Sequence, residues 1–451
     1  MKKTNTFTEG KIVQPLILFA FPVLLALFLQ AMYGAVDLLI VGKFASSADV
    51  SAVSTGSQIM TTLTNLVSSF AMGTTILLGQ QIGSGRKKEG GRTVGTAILA
   101  FAGMAVVLTI LLTVMAPFLC TIMNAPEEAY DQTISYVRIC GGGMLVIVAY
   151  NLIGCIFRGI GDSTTPLVTV AIACVCNIAG DLILCAGFHM GTKGAAIATV
   201  AAQVVSVVIS FFLICRKELP FEINRKCLRV HPMYLGRMLR LGAPIALQDL
   251  LVSISFLMIL AIVNSMGVIA SAGVGVAEKV CAFIMLISSA FMQSISAFVA
   301  QNYGAGHMDR AKKALHYGMM ISFLIGVCMF FLTFFAGAGM AEIFSSDAEV
   351  VAAAADYLKS YAIDCLFTAI FFCYVGYYNG IGKTSFVMLQ GIAGALLVRV
   401  PVSYLMSRTK GATLFRIGLA TPISSVLQLV LCLGYMRVLS SRDLFAESRE
   451  R

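Results

Sequence analysis

Two carboxylates stand in the middle of long apolar runs: Asp37 in QAMYGAVDLLIVGKF and Asp181 in CNIAGDLIL. A charge at the centre of a bilayer costs about 2.5–3.5 kcal/mol on insertion scales, so such a residue faces a partner or a wet cavity. Tyr33 precedes Asp37 by four residues, and Asn177 precedes Asp181 by four. That spacing stacks two side chains on one helical face, so each acid has a neutral hydrogen-bonding neighbour one turn away. Two carboxylates facing one dry pocket cannot both ionise cheaply. Such a pocket suits a proton carrier, and its oxygens also suit Na+, a hard cation. A structural hydrogen-bond network without titration fits the same spacing. The two acids converge only if the first and fifth spans pack together.

The elements that must position them are membrane helices. Of the 451 residues, 58% are hydrophobic and only 12% charged, against about a quarter charged in soluble domains. Segments near 20 apolar residues are long enough to cross a bilayer as helices. Twelve are expected, near 15–39, 50–72, 93–117, 133–154, 165–187, 194–215, 238–262, 270–296, 314–336, 352–377, 385–407 and 411–437. The alternation of a membrane barrel is absent. The net charge of +10 is concentrated at the termini and in every second loop, which favours cytoplasmic loops over a nucleic-acid surface. Loops 79–92, 216–240 and 301–313 are basic, whereas 124–131 and 342–349 are acidic. Both termini are therefore expected in the cytoplasm. Lys43, Lys193, Arg408 and Lys410 in outer loops run against the pattern. The 13 cysteines are scattered through apolar runs without a CxxC pair, as small buried hydrophobes.

The chain repeats itself. GQQIGSG at 79–85 aligns with AQNYGAG at 300–306, and RGIGDST at 158–164 with NGIGKTS at 379–385. Gln80 and Gln301, Gly159 and Gly380, and Tyr136 and Tyr357 are each 221 residues apart. TKGA recurs at 192–195 and 409–412. Six helices per half is an even number, so both halves enter the membrane alike. The expectation is an all-α integral membrane protein with two six-helix lobes related by a parallel pseudo-twofold repeat, enclosing a central cavity. The boundaries are a lobe at 1–215, a cytoplasmic linker at 216–237 and a lobe at 238–451.

Other acids fall within or near the spans: Asp249, Glu278, Asp356 and Asp364. Asp364 would meet Arg399 if spans ten and eleven pack, and such a pair is mainly structural. Glu278, beside Lys279, is either structural or a cavity acid that attracts cations. Asp356 is expected to reach water. Pro22, on the first span with Asp37, marks a fixed bend or a hinge. The 23 Met and 29 Phe suit a pocket that accepts many shapes, although most must pack or face lipid. HExxH, GxSxG and the GxxxxGK[ST] phosphate loop are absent. No enzyme and no direct use of ATP is expected, and no metal beyond the Na+ alternative.

RGIGDSTTP at 158–166, GQQIGSGR at 79–86, Phe21-Pro22 and Arg399-Val-Pro401 resemble the multidrug and toxic compound extrusion (MATE) family, over essentially the whole chain. Within it the chain looks closest to the DinF- and MepA-like branch. The resemblance implies a coupling cluster at Tyr33, Asp37, Asn177, Asp181 and Thr199, and a structural role for Arg158, Gly159, Gly161, Asp162, Arg399 and Pro401. Gln30, Met32, Glu278 and Asp364 are candidate substrate-cavity residues. The NorM-like carboxyl-lobe acids do not carry over, because Val252 and Thr368 stand at the corresponding places. The implied activity is antiport of amphipathic, often cationic organic compounds against H+ or Na+ by a monomer in the bacterial inner membrane. A lipid-linked oligosaccharide or lipid flippase is the alternative. No cofactor beyond the coupling ion is implied.

Overall fold

In the computed structural model, residues 7–222, 227–409 and 411–450 are described, with the backbone alone beyond Ser441. Lys410 and linker residues 223–226 therefore lie outside the described residues. Most of the apolar segments form helices that overrun the sequence expectation, although the twelfth starts later, at Leu414: α1 Val13–Phe44, α2 Ser47–Gly83, α3 Lys87–Ile122, α4 Tyr130–Gly142, α5 Met144–Ile160, α6 Thr164–Asp181 and α7 Gly191–Arg216. There follow α8 Pro232–Asn264, α9 Val268–Gly304, α10 Met308–Glu342, α11 Ala348–Gly380, α12 Thr384–Ile392, α13 Val400–Ser407, α14 Leu414–Gly418 and α15 Ala420–Glu450. Among the described residues, 11 helical runs are long and apolar enough to span a bilayer, and the bent pair α4–α5 makes the twelfth. Large apolar side chains such as Val107, Val114, Leu324 and Phe335 are exposed, as only a lipid-facing surface tolerates. The protein is a multi-pass membrane protein.

The fourth span departs from the sequence expectation. It is not one rod over 133–154 but two helices bent by 56° at Gly143, within the run Gly141-Gly142-Gly143. A side chain at Gly143 would overlap Val200 of α7. Two further spans carry π-helical turns, Leu182–Gly187 directly after Asp181 and Ala393–Arg399 before α13. π turns are rare and often mark functional places. Pro401 sits in the first turn of α13, where its missing N–H is least costly. By contrast, α1 runs unbroken through Pro22.

By packing, the chain falls into two units: residues 1–246 with 300–307, and residues 247–299 with 308–451. Unit 1 has a continuous core including Val41, Leu78, Ala97, Leu112, Val137 and Met144. The segment after α7 lies on α3, where Thr96 Oγ1 donates to Arg229 O (3.2 Å) and accepts from His231 N (3.3 Å). Unit 2 is built around Ile259, Val274, Tyr357, Leu358 and Ile417.

The duplication persists in the backbone. Gly161 and Gly382 both take the left-handed conformation, φ +86° and +79°, and they are 221 residues apart. In unit 1 the two glycine loops meet each other. A Cβ on Gly83 would collide with the carbonyl of Gln301, and a Cβ on Gly304 with the carbonyl of Gln80. The first copy of the motif thus clasps the second reciprocally, backbone against backbone.

The RGIGD string closes α5 and opens α6. Asp162 accepts the N–H groups of Thr164 and Thr165 (both 3.0 Å), the Thr165 hydroxyl (2.6 Å) and Lys217 Nζ (2.5 Å). Burial pushes the Asp162 carboxyl up, but Lys217 and the Thr165 donors outweigh it and hold it below its ordinary value. A carboxyl held low when folded stabilises above its unfolded pKa, near 3.9, and loses that contribution as pH falls through the folded value. Asp162→Ala is therefore expected to cost about 1–2 kcal/mol at pH 7. In melts from pH 7 downward, the gap to wild type stays constant to about pH 5 and closes below about pH 4.

Candidate functional site: a buried acid cluster in unit 1

The helices α1, α6 and α7 bring the sequence-predicted coupling residues together. Gly180 on α6 abuts Ala198 on α7 so closely that an added Cβ would lie 2.9 Å from the Ala198 methyl. Small residues at such a crossing let two membrane helices close up. That closeness sets Asn177 against Thr199. Asp37, Asn177 and Asp181 are 5%, 2% and 0% exposed, so the acids are removed from lipid and water alike.

Thr199 is the hub. Its hydroxyl lies 3.5 Å from Asp37 Oδ2 and 3.5 Å from Asn177 Nδ2, at the outer limit of hydrogen bonding. It is also anchored to Ala195 O at 3.0 Å. Asp37 and Asp181 face each other directly, and Asn177 is beside Asp37. Yet Asp37 Oδ1, Asn177 Oδ1 and both carboxyl oxygens of Asp181 lack a hydrogen-bond partner. Buried acceptors without donors are costly. These converging oxygens are short of positive charge or of hydrogen atoms.

Tyr33 completes the predicted set from α1, and it reaches Gln203 on α7. Sequence reasoning missed three neighbours. Tyr136 on α4 approaches Thr199. Gln203 lies one turn beyond Thr199, a spacing of four that could have flagged it. Tyr150 on α5 hydrogen-bonds Gln30 Nε2 at 3.2 Å. Tyr33, Tyr150, Asn177, Thr199 and Gln203 line one cavity of about 230 Å³. Tyr150 also walls a second of about 550 Å³ with Gln30, Asn151, Arg158 and Ser163.

The remaining predicted residues lie elsewhere. Met32 is half-buried on α1. Glu278 is half-buried on α9, with Oε1 unpartnered. Asp364 borders a unit 2 cavity of about 310 Å³ with Tyr361, Thr368 and Ser322. It does not form the direct ion pair with Arg399 expected from sequence; it accepts the Thr368 hydroxyl at 2.8 Å instead. Asp249 is exposed. Asp356 does not merely reach water. It accepts the Phe415 N–H at 2.9 Å, because the start of α14 leaves backbone donors free.

The family model MatE matches residues 22–183 and again 244–405. The probable multidrug resistance protein YoeA of Bacillus subtilis is 24% identical over 96% of this chain and 95% of its own. The multidrug export protein MepA of Staphylococcus saprophyticus is 24% identical over 90% of each chain. A solved outward-facing MATE-family multidrug resistance transporter of the MOP superfamily superimposes with a TM-score of 0.91 at 20% identity, over 98% of both chains. A MOP-superfamily transporter from Pyrococcus furiosus gives the same values. Together with the two helical units, this match over most of the sequence leaves one assignment: the chain belongs to the MatE family of multidrug and toxic compound extrusion transporters.

Proposed function

We propose that this protein is a secondary active antiporter that exports amphipathic, often cationic organic compounds in exchange for H+ or Na+. The observation that carries this reading is the set of buried, donor-less oxygens on Asp37, Asn177 and Asp181. A site short of positive charge binds a cation or a proton on one side of the membrane and releases it on the other. In the proposed cycle, filling the cluster changes the packing of α1 against α6 and α7 and releases the exported compound outside. The ion leaves inside, and the gradient supplies the energy. The moving bodies are the lobes 1–215 and 238–451, joined by 216–237, with both termini in the cytoplasm of a bacterial cell and one chain sufficient for transport. Pro22 is the hinge on α1, since the residue carries no N–H to bond the preceding turn. The similarity to YoeA and MepA supports multidrug substrates.

The test uses everted vesicles in Na+-free buffer with an imposed proton gradient, following ethidium and internal pH together. Wild type is expected to exchange dye for protons, or to move dye only once Na+ is restored and in exchange for it. Asp181→Asn is expected to do neither. A folded Asp181→Asn protein that transports like wild type under both conditions would sink the reading.

A further inference from the structure

Arg158 stands in the last turn of α5. A cation there ordinarily serves the free carbonyls of the helix end. This end is already capped by backbone. Gly161 N–H donates to Arg158 O at 3.1 Å and Asp162 N–H to Phe157 O at 2.9 Å, the paired cap that a left-handed glycine allows. The Arg158 side chain turns back along the helix instead. Its Nη2 lies 3.0 Å from Cys155 Sγ. Its Nη1 would lie 3.6 Å from a Cβ built on Gly154. Gly154 thus leaves room for the guanidinium one turn inside the helix end.

That guanidinium is short of acceptors. A thiol is a weak one, and Nε is buried without any. Asp162, four residues on, is committed to Thr164, Thr165 and Lys217. The five N–H donors of a guanidinium form a fork that matches a carboxylate or a phosphate, and buried donors left unmet are costly. The side chain lines the unit 1 cavity of about 550 Å³, a volume that suits one small organic molecule. Among the described residues that line it, none is acidic. The lining mixes polar side chains, Gln30, Asn151 and Ser163, with apolar ones, Leu27, Ile153 and Val170.

We propose that this cavity is an anion site, in which Arg158 binds the carboxylate or phosphate group of an amphipathic molecule whose apolar part lies against Leu27, Ile153 and Val170. Tyr150 lines this cavity and also the one beside the acid cluster, so places of opposite charge preference meet at one side chain. Acidic and zwitterionic amphiphiles then join the cations among the compounds that unit 1 recognises. The inference concerns binding alone, and it stands whether or not the acid cluster couples transport to an ion.

The test measures melting of the purified full-length protein in a neutral detergent, with octyl phosphate as the probe and octanol as its uncharged control. Gly154 allows the site to be filled from within. Gly154→Asp sets a carboxylate four residues before Arg158, the spacing of a helical ion pair, and Gly154→Asn matches it in size without the charge. Gly154→Asp is expected to melt about 2–4 °C above Gly154→Asn. Octyl phosphate is expected to raise the melting temperature of wild type and Gly154→Asn by a similar amount and to leave Gly154→Asp unmoved, while octanol raises none of them. With Arg158→Gln added, the order reverses, because the carboxylate of Gly154→Asp is then buried without its cation. If the Arg158→Gln proteins fail to fold, the two Gly154 variants still decide. Bicelles of phosphatidylglycerol against phosphatidylcholine separate the sources of the anion. A rise in phosphatidylglycerol that Gly154→Asp lacks assigns the site to a lipid headgroup, and a response confined to octyl phosphate assigns it to a soluble acid. The proposal is overturned if Gly154→Asp melts no higher than Gly154→Asn, or if octyl phosphate acts alike on both.

Discussion

Asp37→Asn and Asp181→Asn, made separately, are each expected to abolish ion-coupled dye export, and the double variant to lose no more than either alone. The two carboxyl groups face each other, and Asp37 is also within reach of Thr199 and Asn177, so the acids act as one unit. Residues in direct contact depart from additivity by about 0.5–3 kcal/mol, up to about 100-fold in an equilibrium. Stability is expected to move the other way. Each asparagine replaces a buried carboxyl with donor-less oxygen (Oδ1 of Asp37, both oxygens of Asp181) by a neutral amide, so melting temperature holds or rises. Parallel melting and vesicle transport therefore separate coupling from folding. Loss of transport together with a lower melting temperature, or independent and multiplying losses in the double variant, would show that the acids are not a joint ion site.

Gly83→Val and Gly304→Val are expected to be among the most damaging glycine substitutions in unit 1, and equally so. Each new side chain would collide with a carbonyl, of Gln301 or of Gln80. Backbone cannot rotate aside as a side chain can, so the helices must separate. Overpacking costs about 1–3 kcal/mol and sometimes more. Gly103, with nothing within 4 Å of its added Cβ, is the control: Gly103→Ala is expected to be neutral or stabilising by up to about 1 kcal/mol. Once one helix pair is forced apart, the second substitution costs little further, so the double variant melts close to either single one. Melting of the four proteins in one detergent decides the matter. Unequal effects of the two valines would contradict a reciprocal contact.

The spans were legible because hydropathy is a long, averaged signal. The duplication was legible because its matches fall on glycines and polar residues at helix ends, where apolar composition cannot imitate them. The cluster was half legible. Four-residue spacing showed that Asp37 goes with Tyr33 and Asp181 with Asn177, since one helix fixes both. That α1 and α6 meet is a tertiary fact, and Tyr136 reaches Thr199 from a fourth helix with no sequence period to announce it. The same limit hid the bend at Gly143, which depends on the approach of α7, and the bond from Asp356 to Phe415, 59 residues away. The ion pair expected between Asp364 and Arg399 does not form, because Ser255 and Phe256 hold the guanidinium from α8.

The clasp between the glycine loops has a genetic consequence. Most tight contacts join two side chains, and a damaging change on one can be relieved by a smaller residue on the other. Here each glycine opposes a peptide carbonyl, which every amino acid carries. No replacement of Gln80 or Gln301 can make room, so a screen for second-site revertants of Gly83→Val or Gly304→Val should return nothing at those two positions. Revertants should map to distant sites that re-tilt α2 or α9, and neither copy of the motif can drift by co-adapting with the other.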